Sequence, residues 1–284
     1  MTETLTATAT VERTSTPRRF LMCRPEHFTV SYEINPWMDV TRYTDRDLAV
    51  QQWEQLYRTY LDWGHTVDLI DPIPGLPDMV FAANGATVVD GVVYSARFRH
   101  PERGPEGPAY EQWFADAGFR THTAAEVNEG EGDILLVGDV FLAGYGFRTD
   151  RSSHGELAEL VGREVVSLEL VDPHYYHLDT ALAVIDHDPA RPLVAYYPPA
   201  FSAESQRVLG EMYPDAIIAT ERDAVALGLN AVSDGRRVVI APGATDLAVA
   251  LRERGFEPHA VDTSELLKGG GGAKCCTLEI RDAR

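Results

Sequence analysis

The sequence predicts an α/β fold of five ββαβ units set around an axis. Three observations carry that reading: short β-branched runs come in tight pairs, the pairs recur at nearly constant spacing, and a helical stretch follows each pair. Asp90-Gly91 joins Ala86–Val89 to Val92–Ser95, and Gly138-Asp139 joins Ile134–Val137 to Val140–Ala143. A longer turn centred near Asp188 joins Leu182–Ile185 to Leu193–Tyr196, and Asp234-Gly235 joins Asn230–Val232 to Arg237–Ile240. Asp-Gly between alternating runs is a strong hairpin signal, because the primed turns need positive φ. The turn centres repeat at about 48 residues, the mark of a repeated supersecondary unit.

Taken in order, the Thr-rich residues 1–18 show no periodicity and are expected to form a disordered arm, leaving 19–284 as one domain. Phe20–Cys23 reads as a strand with no hairpin partner before it. Asp45–Trp63 reads as a helix with Leu48, Trp53, Leu56, Tyr60 and Leu61 on one face. Further helices are expected after the hairpins, over Tyr110–Ala117, His154–Val161, Ala203–Met212 and Thr245–Glu253. The last strand-like run, Cys276–Ile280, has no partner after it. Pairing it with Phe20–Cys23 would complete a fifth unit and hide both edges, as closed propellers do. A doubly wound sheet alternates single strands with helices and does not suit these paired runs. Gly269–Gly272 is neither GxGxxG opening a helix nor a Walker A loop.

With 44% hydrophobic and 24% charged residues among 284, the composition is that of a globular protein. Against 25 Lys and Arg stand 44 Asp and Glu, a net charge of −19. That balance argues against non-specific nucleic-acid binding and a polybasic membrane contact, and suits attraction of a small cation. The N-terminus lacks the apolar core of a secretory signal, and no apolar run approaches the ~18 residues of a membrane span. Cys23, Cys275 and Cys276 form neither a disulfide framework nor a CxxC site. The expectation is a reduced, cytoplasmic protein; composition leaves a homo-oligomer open.

Polar residues gather in the loops that lead into the hairpins and the final strand. These are Asp78 with Asn84; Glu129, Glu131 and Asp133; His177 with Asp179; Glu221, Arg222 and Asp223; and Lys274 with Cys275 and Cys276. Rotational symmetry would bring such loops together near the axis. Singly, each has a plain explanation: a Cys before a strand is often a small buried hydrophobe, and His177 could be a core histidine. His174 and His177 are spaced i,i+3 but lack neighbouring ligands, so no metal is expected. Jointly, a thiol and an imidazole supply a nucleophile with its acid/base. Carboxylates beside them imply a cationic electrophile, and a planar, permanently charged guanidinium fits that description.

These motifs resemble the guanidino-group-modifying enzymes of the pentein, or α/β-propeller, superfamily: dimethylarginine dimethylaminohydrolase, arginine deiminase, amidinotransferases and arginine dihydrolase. The likeness runs from about Phe20 to the C-terminus through Pro77–Asn84, Glu129–Asp133, Tyr176–Thr180 and Ala273–Thr277. It implies a five-bladed fold, no cofactor, and hydrolysis of the guanidinium of free or methylated arginine through a thiouronium on cysteine. It makes Cys275 the nucleophile, rather than Cys276, because the related TCxS motif sets one residue between the thiol and a Ser or Thr, as Cys276 stands between Cys275 and Thr277. His177 becomes the acid/base, with Glu129 or Glu131 as its acidic partner; Glu129 is preferred because Gly130 and Gly132 then separate it from Asp133. Asp78 and Asp179 are implied to hold the guanidinium, Arg97 and Arg148 the amino-acid carboxylate, and Phe81 is implied to lie beside the substrate. Asn84 departs from the Asp of methylarginine hydrolases and offers an amide donor to a ureido oxygen, as in arginine dihydrolase. Asn35, in Asn35–Met38, is either a residue touching substrate or a turn-former before Pro36. An amidinotransferase could use the same site, and a binding protein could use the same propeller.

Overall fold

A computed structural model describes residues 12–282 of the chain. The described chain opens with β1 (Arg19–Cys23), α1 (Arg46–Asp62) and β2 (Thr66–Ile70). The first full repeat is β3 (Ala86–Val89), β4 (Val92–Ser95), α2 (Glu106–Asp116) and β5 (Arg120–His122). The second is β6 (Ile134–Val137), β7 (Val140–Tyr145), α3 (Ser152–Val161) and β8 (Val165–Glu169). A one-turn helix, α4 (Leu178–Ala181), then leads into β9 (Leu182–Asp186), β10 (Leu193–Tyr196), α5 (Ala203–Met212) and β11 (Ile217–Ile218). Another short helix, α6 (Glu221–Val225), precedes β12 (Val232–Ser233), β13 (Arg237–Ile240), α7 (Thr245–Glu253) and β14 (Glu257–Ala260). The chain finishes with α8 (Ser264–Leu267) and β15 (Leu278–Glu279).

The strands form five separate three-stranded sheets. In four, an antiparallel hairpin is joined by the strand that returns from the helix, which pairs parallel to the hairpin's second strand. The fifth sheet has the order β15-β1-β2 and is built from both ends of the chain. Phe20 lies opposite Glu279 and Leu21 opposite Leu278 in antiparallel register, while β1 and β2 run parallel. The closure expected from the two unpaired terminal runs is therefore the one observed. First strands are the most buried: every residue of β3, β6 and β9 is inside. Neighbouring first strands touch one another, so they ring the axis.

Local chemistry explains the elements. Asp90 and Gly91 both take positive φ, 50° and 73°, as a two-residue primed hairpin requires. Helix α1 starts at Asp45, whose side chain accepts from the Leu48 amide. Its inner face is Ala49, Gln52, Trp53, Leu56, Thr59 and Tyr60, so two of the expected apolar positions, Leu48 and Leu61, are partly exposed. Alanine and threonine complete the i,i+3/i+4 stripe instead. Helix α5 is capped by Ser202, which accepts from the Ser205 amide.

Two sequence expectations change here. Of the arm expected over 1–18, residues 1–11 lie outside the described residues. Over 12–18 the backbone is tied down by Thr16 donating to Asp234, by an Arg13–Asp186 ion pair and by the Arg13 guanidinium 4.0 Å over the Phe256 ring. The Glu221–Asp223 cluster does not join an axial pit. Asp223 completes a capping box with Thr220 on α6 and accepts from the amides of Asp246 and Leu247 at the start of α7. Among the described residues, no helix is long and apolar enough to cross a membrane.

Candidate active site

The loops leading into the five sheets meet on one end of the axis. Cys275, His177, Glu129, Asp78 and Asp179 are each no more than 2% exposed. Cys275 lies on the turn before β15, where its carbonyl accepts from the Ala83 amide and so ties its motif to that of Asp78 and Asn84. Its Sγ lies 3.3 Å from Asp179 Oδ2. Burial, and then the Asp179 charge, push the thiol well above its ordinary range. Both cysteines border the apolar cluster of Phe20, Tyr60 and Leu266, but the Sγ of Cys275 also meets Asp179 and Asn230.

His177, itself extended, is the residue that caps the start of α4, and its Nε2 lies 2.7 Å from Glu129 Oε2. Arg148 donates from Nη1 to the same oxygen at 2.9 Å and from Nη2 to the Ile34 carbonyl, with its guanidinium 4.6 Å over Tyr176. Burial alone would raise Glu129, but Arg148 and His177 outweigh it and hold the carboxyl well below the usual range. The imidazole thus faces a permanent carboxylate, which orients the ring. The other ring nitrogen, Nδ1, has no protein partner. A Cβ on Gly132 would collide with Asn84 Nδ2 and stand 3.1 Å from His177 Nδ1, so any side chain here would fill the space between them.

Asp78 Oδ2 accepts from the Tyr32 hydroxyl at 2.9 Å and sits 4.0 Å from Arg103 Nε. Burial raises the Asp78 carboxyl although Arg103 opposes it. Burial also raises Asp179, to about 7, against the pull of Lys274. Each of these acids keeps one buried oxygen, Oδ1, without a protein partner. Phe81 packs edge-on to Phe28 and meets Gly271, the glycine nearest Cys275, so the ring borders the nucleophile loop. Asn84 Oδ1 accepts from Arg103 Nη1 at 2.7 Å, which fixes the amide and turns its unpartnered NH2 inward.

Three expected residues are placed differently. Glu131 points away from His177: its carboxylate takes Lys274 Nζ and the Glu279 amide, both at 2.9 Å, and pairs with Arg281. The intervening tight turn, Gly130–Gly132, sends the two glutamates to opposite sides, and only Glu129 reaches the imidazole. Arg97 is exposed and donates to the Ala125 carbonyl. Ala96 and Phe98 take the inner positions, so alternation turns Arg97 outward. Asn35 forms the expected turn before Pro36, its Oδ1 accepting from the Trp37 amide, while Nδ2 is spent on the Gly269 carbonyl. It thereby anchors the segment 24–44 to the glycine loop.

Four contributors were missed from sequence. Arg103, buried and forked onto Glu106, reads there as a surface i,i+3 pair. Tyr32 lies in no motif, and Tyr176 opens the Tyr176–Thr180 motif without a role of its own there; it donates to the Gly270 carbonyl. Asn230 holds Cys275 itself, through its amide oxygen and nitrogen. Its signal was positional, since like Asn84 it stands two residues before the first strand of its sheet.

A five-bladed α/β propeller with a buried thiol, an imidazole–carboxylate pair and two acids at one end of its axis is a pentein of the guanidino-modifying class. No family model matches the chain. It is 56% identical over 268 residues to N(G),N(G)-dimethylarginine dimethylaminohydrolase of Mycobacterium tuberculosis, covering 94% of this chain and 87% of that protein. It is 39% identical over 271 residues to the bifunctional arginine dihydrolase/ornithine cyclodeaminase ArgZ of Synechocystis, covering 93% of this chain and 38% of ArgZ. The chain thus spans little more than a third of that relative. The solved N-terminal domain of ArgZ, a cysteine-to-serine mutant bound to substrate, superposes with a TM-score of 0.88 at 38% identity, covering 93% of this chain and 98% of that one. The same domain has been solved covalently bound to a reaction intermediate, with a TM-score of 0.87 at 38% identity over 93% of this chain and 98% of that one. The chain belongs to the dimethylarginine dimethylaminohydrolase family.

Proposed function

We propose that the chain is a cofactor-independent hydrolase that opens the guanidinium of free arginine or an N-methylated arginine through a thiouronium on Cys275. The observation that carries the reading is the set of buried, unpartnered polar atoms facing one site: Asp78 Oδ1, Asp179 Oδ1, His177 Nδ1 and Asn84 Nδ2. Two acceptors suit the N–H edges of a guanidinium, and its positive charge offsets the repulsion between neighbouring carboxylates. That charge also supplies what the thiol lacks. Beside Asp179 the sulfur keeps its proton in the free protein, so the thiolate forms on arrival of the cation.

The thiolate then attacks the central guanidinium carbon. His177, oriented by Glu129, takes up the thiol proton and gives it to the departing ammonia or methylated amine, leaving the amidino carbon bonded to sulfur. Water attacks that carbon with His177 as base, the C–S bond breaks, and citrulline leaves. Arg148, implied by the family likeness to take the amino-acid carboxylate, is instead committed to Glu129 and the Ile34 carbonyl and orients the catalytic carboxylate. Asn84, whose NH2 is turned inward by Arg103, can donate to the ureido oxygen of citrulline and hold it for a second hydrolysis to ornithine, ammonia and carbon dioxide.

Incubation with arginine and with dimethylarginine, followed by quantification of citrulline, ornithine, ammonia and dimethylamine, tests the reading. Wild type is expected to turn over at least one substrate, and Cys275→Ala none. Full turnover by Cys275→Ala would overturn the mechanism. Asn84→Asp is expected to stop the sequence at citrulline.

A further inference from the structure

Asn230 stands in the loop before β12, 1% exposed, and lies outside the set of groups that face the substrate. Its side-chain amide can make four hydrogen bonds, two as donor and two as acceptor. All four are made, and three end on the nucleophile loop. Oδ1 accepts from the backbone amides of Gly272 at 3.1 Å and Cys275 at 3.0 Å. Nδ2 donates to the Asp179 carbonyl at 3.1 Å and to Cys275 Sγ at 3.1 Å. The main chain adds a fifth tie, because the Lys274 amide donates to the Asn230 carbonyl. Two backbone N–H groups converge on Oδ1, so the amide cannot flip: its nitrogen must face the sulfur.

We propose that Asn230 is the positioning residue of the nucleophile, holding the Gly272–Cys275 turn in one geometry and presenting to Sγ the N–H that its anionic form requires. The inference rests on Cys275 being that nucleophile. Beside the Gly272 backbone amide, which also favours the anion, the side chains around the sulfur leave the donor role to Asn230. Asp179 accepts the thiol proton from α4 and repels the anion. The Tyr176 hydroxyl is spent on the Gly270 carbonyl, and Cys276 is buried and neutral. Lys274, next in sequence, directs its ammonium to Glu131 and the Thr277 carbonyl rather than to Sγ. Once the proton has left, the Asn230 N–H is the protein side-chain donor already in place among the described residues. A hydrogen bond to the charged form favours that form, and here it partly offsets burial and Asp179.

The test compares wild type, Asn230→Asp and Asn230→Ser by the pH dependence of Cys275 alkylation with 2-chloroacetamidine and by steady-state kinetics on arginine or dimethylarginine. Asn230→Asp keeps the shape but replaces the donor with an acceptor. The alkylation midpoint is expected to rise by about one pH unit or more, with kcat down about 100-fold and KM changed less than about threefold. Asn230→Ser is expected to fall between the two, and gives the same comparison if the Asp variant does not fold. A folded variant with a wild-type midpoint and wild-type kcat would overturn the proposal. Cys275→Ala separates the two readings: if it still turns over, the nucleophile is misassigned; if it is dead while Asn230→Asp is unshifted, only the role of Asn230 fails.

Discussion

The side chain beside the sulfur decides how the thiol is switched on. Asp179 accepts from Sγ at 3.3 Å, is itself raised to about 7 by burial, and pushes the thiol upward. A resting thiolate would need a free neighbouring cation, but Arg148 is committed to Glu129 and the Ile34 carbonyl, Arg103 to Glu106 and Asn84, and Lys274 to Glu131. The site therefore uses the substrate's own charge. Asp179→Asn removes the repulsion, so Cys275 should alkylate faster with neutral iodoacetamide at pH 7 to 8, by roughly tenfold for each unit the thiol drops. With cationic 2-chloroacetamidine it should alkylate more slowly, because the acceptor for the amidinium is gone. Turnover of arginine or dimethylarginine should fall by about 100-fold or more. Parallel changes with the two reagents would refute the idea that Asp179 acts through charge.

One element controls access. The segment 24–44 between β1 and α1 is fastened over the site by Tyr32 to Asp78, Ile34 to Arg148, Asn35 to Gly269, and the Trp37 indole N–H to the His174 carbonyl at 2.8 Å. With the catalytic groups buried beneath it, lifting of this segment is the expected way in for substrate. Trp37→Ala removes one fastening of about 1 kcal/mol, which makes the lifted state about fivefold more populated. Cys275 alkylation by iodoacetamide should speed up by that factor, with KM raised and kcat little changed; an unchanged alkylation rate would mean that this segment is not the gate. These fastenings were not legible in the sequence, where Asn35 reads as either a residue touching substrate or a turn-former before Pro36. What was legible had local causes. Asp90-Gly91 needs positive φ and sits where it announces a hairpin, and α5 and α7 match their periodic stretches residue for residue. The returning strands were not readable because β11 has two residues and β5 three, too short for alternation to register. Glu129 and Glu131 could not be separated, because the tight turn between them, not their type, selects the one that meets His177. Arg103 and Asn230 acquire their roles from partners far along the chain, and composition holds no trace of that.

For the whole molecule, the ring is closed by the two ends of one chain, and the closing strand follows the nucleophile at once. Leu278 of β15 faces Leu21 of β1 and is wholly buried, as Ile280 nearly is. Beneath the site the same closure is bound by charge: Glu279 takes Arg18 at 3.0 Å and Arg281 at 2.8 Å, while Glu131 takes Lys274 and Arg281. These acids belong to a net charge of −19, and here they serve the ring rather than the substrate. Stability and chemistry should therefore be coupled at this blade more than elsewhere. Leu278→Ala should cost ~2–5 kcal/mol, as for a buried leucine, and lower Tm by about 5–10 °C in a protein of this size. Leu209→Ala on α5, equally buried but in a blade whose strands are consecutive, should cost a comparable amount. The two variants part company below their melting temperatures. A loosened β15 frees the turn that carries Cys275, so at 25 °C Leu278→Ala should show a several-fold loss of kcat and faster alkylation, whereas Leu209→Ala keeps both near wild type. Equal losses in the two variants would mean that the closing blade only stabilises the fold and has no special hold on the nucleophile.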